Sequence, residues 1–136
     1  MNAFTIKETQ IVSNPLLAER MAKGLRAGTR GFVASIDGIE VGLLIFEDYP
    51  ESSWGQIYEI NVLRDFRRIG VGSLLLSHAQ AIAIDAGYKR LRLMARSLDQ
   101  EQINDESLLA WYGRNGFRLD SGSTSWMQKD LADAGD

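Results

Sequence analysis

The chain has 136 residues, 45% hydrophobic and 24% charged, with a formal net charge of -3. That length and balance describe one soluble globular domain whose core needs neither metal nor disulfide, and the absence of cysteine excludes disulfides, thiolate metal sites and a cysteine nucleophile. The acidic balance argues against non-specific nucleic-acid binding, which needs a basic surface, and a single histidine, His78, would leave a zinc site dependent on carboxylates.

The residues from Met1 to Gln10 lack the long apolar segment of a secretory signal, and no later apolar run is long enough to cross a bilayer. A cytoplasmic protein with no membrane partner is expected. Phe4 to Glu8 alternates apolar and polar residues and suits a first strand. Ser13-Asn14-Pro15 then offers a capping side chain followed by proline, and Leu16, Leu17, Met21 and Leu25 recur at helical spacing up to Gly28.

Gly31 to Ile36 and Ile39 to Phe46 are strand-forming runs joined at Asp37-Gly38, a dipeptide that tolerates the positive φ of a hairpin turn. Glu47 to Gly55 reads as a polar and aromatic loop, and Gln56 to Leu63 as the next strand. Ser73 to Ala86 reads as a helix with Leu75, Ala79, Ile82 and Ala86 on one stripe and Gly87 as its stop, and Arg90 to Ala95 as a further strand. A strand, helix, strand unit of this kind implies a parallel crossover. Glu106 to Arg114 suits a short helix ended by Asn115-Gly116, and Phe117 to Asp120 with Ser125 to Lys129 a closing strand pair. The expected architecture is α/β, one domain over residues 1–131 followed by a disordered tail at 132–136.

The stretch from Gln56 to Leu76 organises the chain. Its turn, Arg67-Arg68-Ile69-Gly70-Val71-Gly72-Ser73, precedes a helix whose first backbone N–H groups have no intrahelical partner, an arrangement suited to phosphate. A P-loop would need a lysine after the glycines, and none follows. A dinucleotide fingerprint would need a third glycine where Leu75 stands.

What fits is the Arg/Gln-x-x-Gly-x-Gly/Ala segment of the GNAT superfamily of acyl-CoA-dependent N-acetyltransferases, which Arg67 to Gly72 resembles. Glu59-Ile60-Asn61-Val62 is similar to that family's splayed fourth strand, and Trp111-Tyr112 through Gly116-Phe117 to its second landmark, a tyrosine-bearing helix ending in Gly-Phe. The element order agrees over nearly the whole chain. The resemblance implies a GNAT-like mixed, twisted sheet of about seven strands with helices on both faces.

It also implies acetyl-CoA as co-substrate, a primary amine as acceptor, and direct transfer in a ternary complex; with no cysteine and one histidine, no metal is expected. Backbone N–H groups of Arg68, Ile69, Gly70, Val71, Gly72 and Ser73 would bind the pyrophosphate, with arginine charge from Arg67 and Arg68. A main-chain N–H near Val62 or Leu63 would hold the thioester oxygen, and Asn104, close to the family's asparagine position, is a further candidate cofactor contact. Tyr112 is the candidate general acid, with Trp111 expected to fill the packing role on its helix.

Glu59 is the candidate base; the alternative is a structural ion pair with Arg90 or Arg92. Strand alternation would place it on one side with Ile57, Asn61 and Leu63. His78 is expected to be structural. Asp48, Tyr49 and Trp54 sit where an acceptor could be met, and Glu47, Asp48 and Glu51 lean toward a cationic one. The segment between Gly28 and Gly31 leaves no room for the family's usual second helix, which implies an open acceptor side or one completed by a partner chain in a homodimer. The reading from another class is a non-catalytic acyl-CoA-binding or interaction module.

Overall fold

The computed structural model describes residues 3–131, so the expected tail at 132–136 lies outside the described residues. Its strands are β1 (Phe4–Glu8), β2 (Thr29–Ile36), β3 (Ile39–Tyr49), β4 (Trp54–Val62), β5 (Arg90–Met94), β6 (Arg118–Leu119) and β7 (Trp126–Asp130). They form one seven-stranded sheet in the order β1-β2-β3-β4-β5-β7-β6, in which only the β4–β5 pair is parallel. Helix α1 (Pro15–Gly24) covers one face, and α2 (Val71–Asp85) with α3 (Asp105–Arg114) the other. No helix among the described residues is long and apolar enough to cross a membrane.

Local chemistry explains most boundaries. The Asn14 side chain accepts from the Leu17 N–H at 3.0 Å and Pro15 takes the first helical position. Helix α1 stops at Gly24, short of the expected Gly28, because Leu25 turns extended and Thr29 Oγ1 closes a tight turn, accepting from the Arg26 N–H at 2.8 Å. Strand β3 runs past the expected Phe46 to Tyr49, since Glu47, Asp48 and Tyr49 pair with Gln56, Gly55 and Trp54. The loop that follows is thereby cut to a short 3₁₀ turn at Pro50–Ser52.

Two apolar layers sandwich the sheet. Leu44, Phe46, Leu91 and Leu93 pack against Leu75, Leu76 and Ala79 of α2, while Leu43 and Ile45 pack against Leu17 and Met21 of α1. Each such fully buried side chain contributes about 1.5–3 kcal/mol. Their alternation along β3 is what assigns each helix to a face.

Strand β4 carries the one irregularity that matters for the site. Ile45 pairs with Glu59 but Phe46 pairs with Ile57, so Tyr58 is an extra residue, a β-bulge. The bulge inverts the alternation. Ile57 belongs to the α2 layer, whereas Glu59 and Asn61 fall on the α1 side with Leu63, which packs against that layer. The expectation that Glu59 shares a face with Ile57 is therefore corrected.

An ionic clamp ties the loop after β5 to the turn before α2. Asp99 accepts from Arg64 Nε and Nη2 and from Arg67 Nη1, each at 2.7 Å, and Arg67 Nε also donates to the Val62 carbonyl at 2.7 Å. Hydrogen bonds from Arg64, then Arg67, lower the Asp99 carboxyl from its ordinary 3.8 to about 2. A carboxyl with a depressed folded-state value stabilises above the unfolded value and loses that contribution as pH falls through the folded one.

Two outcomes follow from this packing. A Cβ at Gly42 would lie 2.9 Å from the Asn61 carbonyl oxygen, a backbone atom that cannot move without shifting β4. Gly42→Ala should therefore lower stability by about 1–3 kcal/mol in a denaturant melt. The melting-temperature gap between wild type and Asp99→Asn should be full at pH 5 and shrink as pH falls from 3.8 toward 2; a gap independent of pH in scanning calorimetry would remove the clamp's ionic role.

Candidate active site

The site begins where β4 loses its neighbour. Pairing between β4 and β5 runs from Trp54 with Arg90 to Ile57 with Leu93 and goes no further, while β5 stays paired with β7 up to Met94. The two strands therefore splay apart beyond Ile57. A cavity of about 1010 Å³ opens there, lined from the α1 side by Arg20, Glu59 and Asn61 and from the other by Val62, Trp111 and Tyr112.

The hydrogen-bond parity of β4 decides which backbone groups face this gap. Leu63 donates its N–H to the Val41 carbonyl at 2.9 Å, and Gly42 pairs with Val62. In an antiparallel pair successive N–H groups alternate sides, so those of Ile60 and Val62 point away from β3, into the opening. Leu63, proposed from sequence as an alternative donor, is already committed. Ile60, which sequence reasoning missed, takes its place.

Gly70 caps α2 with φ +93, in the left-handed region that a side chain disfavours, and Arg68 before it also lies there at φ +67. None of the backbone N–H groups from Arg68 to Ser73 donates to an acceptor among the described residues; the first helical bond runs from the Leu74 N–H to the Gly70 carbonyl at 3.0 Å. A Cβ at Gly72 would approach nothing closer than Trp111 at 3.8 Å. Packing does not demand glycine there, and the absence of a side chain leaves the main chain open to the cavity. Gly70, Gly72, Ser73, Arg67 and Arg68 line the cavity; the Ile69 side chain is exposed and that of Val71 is buried in the core, so both can offer only backbone.

The arginines of the turn divide. Arg67 is held by Asp99 and the Val62 carbonyl, whereas Arg68 makes no ion pair among the described residues and is exposed. Asn104 is the N-cap of α3: its Oδ1 accepts from the Ser107 N–H at 2.8 Å, and it does not line the cavity. Its side chain is spent on the helix, which accounts for an asparagine here without a ligand.

Both aromatics of helix α3 pack on the core, and Tyr112 rather than Trp111 is the more deeply buried. Tyr112 is the buried one, 6% exposed, edge-on to Phe117 at 5.6 Å and Trp111 at 4.8 Å, while Trp111 is half-buried beside Gly72. Tyr112 still lines the cavity, and its hydroxyl makes no hydrogen bond to a described residue. Burial pushes that hydroxyl above the ordinary phenol range. It stays protonated through neutral pH.

On the α1 side, both Glu59 oxygens accept from Arg20, at 2.9 Å from Nε and 2.6 Å from Nη2. The partner is thus on α1, not Arg90 or Arg92, which pair with Asp130 and Asp120. The signal was in the sequence: Leu17, Arg20, Met21 and Gly24 share one helical face, so Arg20 had to reach the sheet. Glu47 is 5% exposed and accepts from Arg26, Tyr49 and Gln56. Asp48 is taken by Tyr88 and Arg30, and neither Asp48 nor Trp54 lines the cavity. His78 packs edge-on against Phe32 at 5.1 Å, with burial lowering its basicity.

Comparison with known proteins agrees with this geometry. The sequence model described as an acetyltransferase (GNAT) domain matches residues 27–119. A GNAT family acetyltransferase from Elizabethkingia anophelis with acetyl-CoA bound superposes with TM-score 0.72 at 18% identity, covering 94% of this chain and 98% of that one. A GNAT-family protein from Desulfovibrio desulfuricans gives TM-score 0.74 at 14% identity over 96% and 100%. The PaiA N-acetyltransferase of Thermoplasma acidophilum, in complex with coenzyme A, gives 0.62 at 18% over 85% and 68%. At such identities the likeness speaks for the fold, and the family match, which spans more than half the chain, carries the assignment: this chain belongs to the GNAT acetyltransferase family.

Proposed function

We propose that the protein transfers an acetyl group from acetyl-CoA to an amine by direct attack in a ternary complex. The observation that carries this reading is the run of unpartnered N–H groups from Arg68 to Ser73 beside a strand gap into which Ile60 and Val62 aim further donors. One end suits a pyrophosphate and the other a thioester.

Coenzyme A would supply the acetyl group as a thioester, an acyl donor with a good leaving group. The α2 N-terminus and Arg68 hold its phosphates through backbone donors and charge. Ile60 and Val62 N–H groups hold the pantetheine and thioester oxygens, polarising the carbonyl. Glu59, fixed by Arg20, orients the amine and receives its proton through water as the C–N bond forms. Tyr112 gives its proton to the sulfur as the C–S bond breaks and regains one from solvent. Glu59 passes its proton to solvent, so the products are an N-substituted acetamide and the free thiol of coenzyme A, and no covalent enzyme intermediate is needed.

In calorimetric titration, Gly72→Asp should weaken acetyl-CoA binding by at least tenfold, because a carboxylate, accommodated without a steric clash, brings negative charge to the phosphate cradle. Unchanged affinity in the folded variant would put the phosphates elsewhere. Tyr112→Phe should reduce kcat by about 10²-fold or more with acetyl-CoA affinity nearly constant; equal turnover would take Tyr112 out of the chemistry.

A further inference from the structure

The acceptor half of the cavity holds a second ion pair with a different character from Glu59–Arg20. Glu47, on β3, is 5% exposed and keeps two neutral donors, Tyr49 Oη at 3.1 Å and Gln56 Nε2 at 3.2 Å. Its cationic partner is Arg26, which reaches in from the loop after α1, is 55% exposed, and uses only Nη2, at 3.1 Å. The Arg26 guanidinium also lies over the Tyr58 ring, 4.8 Å from its centroid. Tyr58 is the bulged residue of β4, so the same irregularity that turns Glu59 toward α1 presents this ring.

A buried carboxylate beside an aromatic face is the chemistry that recognises a cation. Here the protein's own arginine occupies it. Arg26 is on the exposed side and is singly bonded, so an incoming ammonium can replace it without changing the charge near Glu47, and the freed guanidinium returns to water. The carboxylate remains held by Tyr49 and Gln56. Glu47, Tyr58, Gln56 and Arg26 all line the cavity that contains Glu59 and Tyr112.

We infer that Glu47, Tyr58 and Gln56 form an acceptor subsite for a second positive charge, which Arg26 fills until substrate arrives. Glu47 pairs across the sheet with Gln56, and Ile60, which faces the thioester position, lies four residues further along β4. With the bulge taking up one residue, that spacing sets the two nitrogens on the order of 10 Å apart. The acceptor class is an elongated amine: one nitrogen reacts in the gap and a second, kept protonated, sits at Glu47. This inference rests on the acetyl-transfer reading for its geometry but has its own readout.

The test compares diaminooctane, with an amine at each end, with octylamine in assays of CoA release. In wild type the KM of the diamine should be about tenfold lower, the worth of one charge-assisted contact. Glu47→Gln should bring the two KM values together. Arg26→Ala should widen the gap, because it removes the competing cation. A subsite that is only structural would predict no gap in wild type, or a narrower one in both variants, and either result overturns the inference. A lysine-containing peptide assayed alongside tells whether the second charge is read on a small amine or on a side chain.

Direct calorimetric titration of the CoA-loaded protein with both amines decides the subsite even if no amine releases CoA, an outcome that would sink the transfer reading alone. Glu47-dependent binding of the diamine supports the subsite; equal binding of both amines, or none, removes it. Circular dichroism melts of the two variants confirm that folded protein is compared.

Discussion

Strand β4 continues past Ile57 after its parallel neighbour has left it, and the site depends on that departure. A strand flanked on both sides would spend the Ile60 and Val62 N–H groups on a ladder. Because β5 ends at Met94 and the chain leaves as a loop, those donors face a gap that apolar packing on the two sheet faces holds open. The same strand feeds straight into the turn before α2, so the donors of β4 and those of the helix N-terminus lie along one path. A single splayed strand thereby lines up two sets of unpaired donors along one cavity.

Charge in the cavity is mostly committed to keeping that path in shape. Arg64 and Arg67 bind Asp99, Arg20 binds Glu59, and Arg26 binds Glu47. Paired charges out of water return little net stability, because desolvation offsets the attraction. Their value here is directional. Arg67 holds the Val62 carbonyl and Arg20 fixes the Glu59 carboxylate, so each pair sets the orientation of a group on β4. Arg68, Arg96 and Arg114 line the cavity without an ion pair among the described residues, and of these Arg68 lies in the turn itself.

The parts legible in sequence were those governed by neighbours in the chain. Asn14-Pro15, Asp37-Gly38 and Gly70 carry their conformations in their own chemistry, and the glycine turn announced a helix N-terminus whatever the rest of the fold did. The parts that escaped involve residues far apart in sequence. Tyr58 has nothing in its type that marks a bulge; the offset exists only because Ile45 and Phe46 on β3 take Glu59 and Ile57 as partners. Tyr112 is buried in a core cluster with residues distant in sequence, among them Leu93 and Met127, which the helix pattern alone does not show. Glu47 and Asp48 looked like loop acids, yet β4 draws them into β3 and arginines from elsewhere neutralise them.

By itself, then, the sequence determined the order of the elements, the α/β class and the glycine turn that opens α2, because capping, periodicity and glycine placement act within a few residues; the candidacy of Tyr112 came from the family resemblance. Tertiary structure alone decided which β4 donors face the gap and which carboxylates the arginines hold. Those outcomes depend on strand register and on side chains meeting across the sheet, where a shift of one residue reverses the face.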